Sequence, residues 1–138
     1  MKTFLLAYES VIEMLRPSMK VANLTEPQWR VLHELSGRSP MIASELAANT
    51  FVRASSLSRI LRDLEARDLI SRAQQFEDLR KTLVSLTDYG RKTIGPIETA
   101  YAELLDRVTG AAGDETIATC ASACAAIVEQ IGADISGE

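Results

Sequence analysis

The chain is poor in the residues that most often announce a reaction. It has one histidine in 138 residues, so no paired-histidine metal motif is possible. No Gly-rich phosphate loop and no Gly-x-Ser-x-Gly elbow occurs. An enzyme is therefore not expected, and neither is a bound metal or cofactor. Two cysteines, Cys120 and Cys124, make neither a disulfide framework nor a four-ligand zinc site. Aromatics are 5% of the chain, which leaves the core to Leu, Ile, Val and Ala. No apolar run approaches the ~18–20 residues of a membrane span. The first acid, Glu9, comes too early for the apolar core of a signal peptide. The expectation is a cytoplasmic protein with no membrane partner. Its 46% hydrophobic and 25% charged residues suit a single domain with a real core.

A positive net charge is also lacking. The total is −4, which at first argues against nucleic acid. The distribution argues otherwise. Residues 1–52 are neutral, with five basic and five acidic residues. Residues 53–92 carry nine basic and six acidic residues, and residues 93–138 carry one against eight. The middle of the chain is positive and the C-terminal third strongly negative. A whole-chain isoelectric point hides such a local electrostatic face.

Apolar periodicity predicts mostly helix. Phe4, Tyr8, Val11, Ile12, Leu15 and Met19 place an amphipathic helix over residues 3–20, its last turn disturbed by Pro17. Thr25 and Gln28 form a capping box for a second helix, with Pro27 in its first turn. Trp29, Leu32, His33 and Leu35 give that helix its apolar side, and residues 37–40 end it. A short helix over 43–48 and a turn over 49–54 follow. Phe51 and Val52 in the turn are expected to plug a helix–helix corner.

A longer helix spans 55–67. At 100° per residue, Leu57, Ile60, Leu61 and Leu64 face inward. Ser55, Arg59, Arg62 and Ala66 face outward, with Ser56 and Ser58 at the flanks. The β-prone runs 69–74 and 82–86 read as a hairpin with a polar tip over 75–81. Thr87 caps a helix over 88–108 that Gly95-Pro96 should kink. Gly110 and Gly113 break the chain, and Asp114 opens a last helix. Ile117, Cys120, Cys124, Ile127 and Ile131 step by three and four along it, which is the pattern of a helix-packing seam.

Short helix, turn, longer helix and hairpin, in that order, make a winged helix-turn-helix. The chemistry agrees with that reading. The major groove admits one α-helix, serine hydroxyls bond donors or acceptors on base edges, and arginine bonds guanine in bidentate fashion. Arg80 and Lys81 at a hairpin tip would reach a phosphate or a minor groove. An exposed helix bearing arginines is by itself usually only a solvated face. The order of elements and the positive middle segment move the balance.

The stretches "SELA" at residues 44–47, "SSLSRILRDLEARDLI" at 55–70 and "DLRKTLVSLTDYG" at 78–90 resemble the MarR family of winged-helix transcription factors. Asp78, Arg80, Val84, Leu86, Thr87 and Gly90 match that family's wing. "ESVIEMLRPSMKVANLTEPQWRVLHEL" is similar to the branch that represses catabolism of aromatic acids such as homoprotocatechuate. The likeness implies a mostly α fold with a small β-hairpin wing. It implies a homodimer in which residues 1–24 and 93–138 form dimerisation helices and 25–92 the DNA-binding region. It further implies a repressor of a catabolic or efflux operon on a pseudo-palindromic operator. Ser55, Ser56, Ser58, Arg59 and Arg62 would lie on the recognition helix, Arg80 and Lys81 on the wing. Ser44 would reach a phosphate, and Asp78 would hold Arg80. The chain departs from the pattern at Asp68, where glycine is common, and at Ile42, where a capping hydroxyl is common.

Such regulators usually hold an effector pocket between the dimerising helices and the winged region. Arg16, Trp29 and His33 are its candidates here, for a small aromatic acid: arginine to pair a carboxylate, tryptophan to stack on a ring. The plainer reading of each is an ion pair, a core anchor and a core-edge histidine. Cys120 and Cys124 invite a redox reading, but their apolar, acidic surroundings favour buried small hydrophobes. Two alternatives stay open at this level: a winged-helix protein-interaction module with little DNA affinity, and a cysteine-based redox regulator.

Overall fold

The computed structural model describes residues 2–74 and 81–136. Asp78 and Arg80 lie outside the described residues. The chain divides into two compact units, residues 1–101 and 102–138.

The first unit opens with α1 (Lys2–Val21), which runs on through Pro17. Its Ile12, Leu15 and Met19 are buried in the unit's core. The first helix thus serves the winged core as well as any dimer. Asn23 turns the chain in a left-handed conformation (φ 52°), which asparagine tolerates. Then α2 (Glu26–Gly37) starts on the capping box, with Gln28 N–H donating to Thr25 Oγ1 at 3.4 Å and Thr25 N–H to Gln28 Oε1 at 2.9 Å. Trp29, Val31, Leu32 and Leu35 are its buried face.

A strand of two residues, β1 (Met41–Ile42), precedes α3 (Ala43–Thr50). Periodicity does not reveal so short a strand, and the hairpin of the sequence is in fact a three-stranded antiparallel sheet. Its order is β1-β3-β2, with β2 at Ile70–Gln74 and β3 at Thr82–Leu86. Met41 pairs with Val84, and Ile70 to Gln74 pair with Leu86 to Thr82. Val84 is the fully buried residue of the central strand. Ile42 caps α3 without a side-chain bond, as expected from its missing hydroxyl.

The turn after α3 corrects one expectation. Val52 is buried, but Phe51 is 64% exposed and left-handed (φ 53°). That backbone keeps the Phe51 side chain out of the core, and of the two only Val52 is buried there.

Next, α4 (Ala54–Ala66) buries Leu57, Leu61 and Leu64, with Ile60 half-buried at the edge of the stripe. Asp68 ends the following turn at φ 56°, a left-handed position that glycine would adopt more freely. Thr87 then ties three elements together. Its hydroxyl donates to the carbonyl of Asp68 at 2.6 Å and accepts the Gly90 N–H at 2.9 Å, capping α5 (Asp88–Ala112). The α5 helix continues through Gly95-Pro96, and the Thr99 hydroxyl donates to the Gly95 carbonyl at 3.0 Å.

The second unit comprises the end of α5 and α6 (Asp114–Ser136). The seam expected on α6 is not buried in the chain: Ile127 and Ile131 are 43% and 50% exposed. Cys120 is exposed and Cys124 half-buried, not buried as expected. Two helices are too few to cover an aliphatic seam. Among the described residues, no helix is long and apolar enough to cross a membrane.

Candidate nucleic-acid interface and an aromatic pocket

The outward face of α4 carries Ser55, Ser56, Ser58, Arg59, Arg62 and Ala66, all exposed. Ser44, in the first turn of α3, and Lys81, at the foot of β3, are exposed as well. The helix itself is pinned on its other sides. Gln28 Nε2 donates to Asp63 Oδ2 at 2.7 Å, joining the cap of α2 to α4. Arg67 donates to the Ala22 carbonyl at 3.1 Å. Arg72 on β2 donates through Nε to Glu65 at 2.9 Å, joining α4 to the sheet.

These bonds also decide the electrostatics. The acids of this region face partners inside the unit: Asp63 faces Arg67 at 3.7 Å, and Glu65 pairs with Arg72. The Arg72 hydrogen bond holds the Glu65 carboxyl below its usual range despite some desolvation. Among the described residues, Arg53, Arg59 and Arg62 make no ion pair. Among the described residues no carboxylate offsets their charge, which a phosphate or guanine edge would meet. Arg62 Nε leans on the Ser58 carbonyl at 3.3 Å, and the Ser58 hydroxyl on that of Ala54 at 3.2 Å. The Ser55 and Ser56 hydroxyls make no hydrogen bond among the described residues. Arg53, at the N-cap of α4, was missed from the sequence because it precedes the helical wheel.

A second feature lies between α1, α2, the last turn of α3 and Tyr101 of α5. It is a cavity of about 380 Å³, mostly apolar, lined among others by Tyr8, Trp29, Arg30, His33, Phe51 and Tyr101. Three aromatic rings form one wall. The Trp29–His33 centroids are 5.4 Å apart, and Tyr101 meets both edge-on, at 5.8 Å and 5.2 Å. A flat ring could enter such a wall by stacking or edge contact.

Polar groups surround it. Trp29 Nε1 donates to Glu98 Oε1 at 3.2 Å, and His33 Nδ1 lies 2.7 Å from Glu98 Oε2. Ser36 adds a longer bond of 3.4 Å to the same carboxylate. Burial pushes the Glu98 carboxyl upward. The bonds from His33, Trp29 and Ser36 outweigh it and leave the group below its usual range. The same hydrogen bond raises the His33 imidazole above its usual range, against desolvation. Tyr8 donates to Glu26, and burial followed by that bond pushes its phenol up to about 12.

Arg30 is the guanidinium of the cavity. Its Nη1 donates to the Thr50 carbonyl at 3.1 Å, while its buried Nε has no hydrogen-bond partner and lies 3.7 Å from Glu26. An unsatisfied buried donor is costly, and the Glu26 carboxylate offsets part of that cost. The structure thus brings Trp29 and His33 together, as their spacing implies. It does not bring Arg16 to them. Arg16 is exposed, bonds Glu13 at 2.8 Å, and lines separate shallow grooves. Arg30 was missed because it sits beside the tryptophan in a run that reads as scaffold. Tyr101 and Glu98 were missed because α5 meets α2 only in three dimensions.

On α6, Cys124 is raised by desolvation and then by its neighbour Cys120. A raised thiol is the opposite of the low-pKa thiolate that oxidant sensors need.

Comparisons with known proteins agree with this architecture. The sequence profile of the MarR family matches residues 24–82. The homoprotocatechuate degradative operon repressor of Escherichia coli is 33% identical over 97 residues, 70% of this chain and 66% of that protein. The chain thus spans about two thirds of that relative's length. The structure of NadR in complex with 4-hydroxyphenylacetate superposes with a TM-score of 0.84 at 26% identity, covering 91% of this chain and 89% of that one. The repressor CouR bound to a 23-mer DNA duplex superposes with a TM-score of 0.75, also at 26% identity and with the same coverage.

Proposed function

We propose that this chain, which belongs to the MarR family, binds operator DNA as a homodimer and represses transcription until a small aromatic carboxylate releases it. DNA-bound CouR and the operon repressor support the DNA side of this reading. Ser55, Ser56, Arg59 and Arg62 enter the major groove, with Arg53 and Ser44 on the flanking phosphates. Lys81 and Arg80 reach the DNA from the wing.

The effector side rests on the cavity, and NadR with 4-hydroxyphenylacetate supports it. The ligand's ring lies against Trp29, His33 and Tyr101, and its carboxylate pairs with the Arg30 guanidinium.

The observation that carries the coupling is one shared turn. Arg30 holds the Thr50 carbonyl, and Asn49 Nδ2 donates to Glu34 at 2.8 Å. Both partners lie in the last turn of α3, just before α4 begins. A carboxylate that draws Arg30 inward loosens this turn and tilts the recognition helix. Release requires the ligand to favour the DNA-incompetent arrangement, and such couplings are typically about 1–3 kcal/mol.

Fluorescence anisotropy with the DNA upstream of the chain's own gene tests this. Affinity should fall steeply with salt, as phosphate contacts require. The pair Arg59→Ala and Arg80→Ala should weaken it at least tenfold. Salt-independent or unchanged binding would mean that the winged region works through protein contacts instead.

A further inference from the structure

We infer that His33, gripped by Glu98, is a specificity-determining residue of the cavity: a hydrogen-bond donor for an ionised acid only while its imidazole is protonated, so that the acid and a proton are taken up together. The inference rests on the effector reading above and adds the charge state of ligand and receptor.

The geometry assigns the two ring nitrogens. Nδ1 sits 2.7 Å from a Glu98 oxygen, and an ionised carboxylate only accepts, so Nδ1 carries a hydrogen. Glu98 is held in turn by Trp29 and Ser36 and cannot readily turn away. Trp29 and Tyr101 pack on the ring at 5.4 Å and 5.2 Å. Nε2 is left, without a hydrogen bond among the described residues, on a ring that lines the cavity. In the neutral imidazole Nε2 is a lone pair, which repels a carboxylate. In the imidazolium it is an N–H, which binds one.

The charges around the ring set the balance. From α2, Glu34 favours the imidazolium, and the Arg30 guanidinium lines the same cavity. From α5, Glu98 favours it, and Tyr101 is neutral. From α1, Tyr8 is a neutral phenol that donates to Glu26. From α3, Asn49 and Thr50 carry no charge. Arg30 and His33 stand three residues apart on α2, neighbours on one helical face. One carboxylate in the cavity can therefore meet both the Arg30 guanidinium and the His33 Nε2. An arginine at both positions would hold an acid at any pH. The imidazole makes the second contact conditional.

Isothermal titration with 4-hydroxyphenylacetate and its neutral amide, between about pH 5.5 and pH 8.5, tests this across the ordinary imidazole range. Two buffers of different ionisation heat count the protons taken up. The acid's affinity should fall as pH rises, approaching about tenfold per unit at its steepest. Proton uptake should accompany binding, and the amide should show neither. His33→Gln should weaken the acid and flatten the profile. Glu98→Gln should move the profile to lower pH, because the group that raises the imidazole is gone. The proton count needs no variant. Binding of the acid without proton uptake, or a slope that survives in His33→Gln, would overturn the inference and leave the effector reading standing. If neither 4-hydroxyphenylacetate nor benzoate binds at any pH, the effector reading fails and the inference with it.

Discussion

Gly90 shows how a single residue can be dictated by packing. A Cβ there would stand 2.0 Å from the Leu69 carbonyl oxygen and 2.9 Å from Leu86 Cδ1. Backbone cannot yield at such a distance, so Gly90→Ala must push α5 off the sheet. Overpacking of this kind costs about 1–3 kcal/mol, and urea unfolding should show it. The His33–Glu98 pair gives a second residue-scale expectation. His33 is raised in the folded state, so its contribution is full below the ordinary imidazole value of about 6.5 and fades as pH rises through the folded value. Glu98 is lowered, so its contribution is full above the ordinary carboxylate range and fades as pH falls through the folded value. The melting temperature gained from the pair should therefore peak in mildly acidic solution. Glu98→Gln should remove that peak and cost less near pH 9, where the imidazole is neutral and only the carboxylate's bonds to Trp29 and Ser36 are lost. Trp29 and His33 were legible in the sequence as a pair one turn apart. Their carboxylate was not, because Glu98 lies sixty-five residues beyond His33 and only the fold brings it near.

At the scale of elements, local signals carried far. The capping box at Thr25 and Gln28 appears in the sequence and again in the structure. Thr25→Ala should cost about 1 kcal/mol and leave the DNA-binding face in place, which unfolding and anisotropy together would check. The amphipathic stripe of α4 was equally legible, since burial of one face is what a 3.6-residue period encodes. Its outward arginines make a sharper prediction. Removing one arginine from a phosphate should reduce the slope of log affinity against log salt by about 0.9. Arg59→Ala that lowers affinity equally at all salt concentrations would point to a base contact instead. The strand β1 escaped notice because two residues show no alternation. Met41 is identified as strand only by Val84 opposite it.

For the whole molecule, the uncovered apolar residues matter most. Phe4, Leu5 and Leu6 of α1 are 47–56% exposed, and Val128 and Ile131 of α6 are 44% and 50% exposed. Exposed apolar surface on two separate elements is what a second copy of the chain would cover. Sedimentation should give a dimer at micromolar concentration. Ile127→Glu with Ile131→Glu should yield a monomer and with it lose tight binding to a two-half-site operator, since each half-site then binds alone.

The sequence by itself determined the helices, the exposed polar face of α4 and the order that makes a winged helix. These follow from periodicity, capping and turn chemistry, which act between residues a few positions apart. Tertiary structure alone decided which charges remain free and which side chains share a cavity. Arg72 on β2 answers Glu65 on α4, Arg67 reaches the Ala22 carbonyl, and Glu98 of α5 closes on His33 of α2. Pairing among charges depends on distance in space, and for most of these groups that distance is set by the packing of helices far apart in the chain.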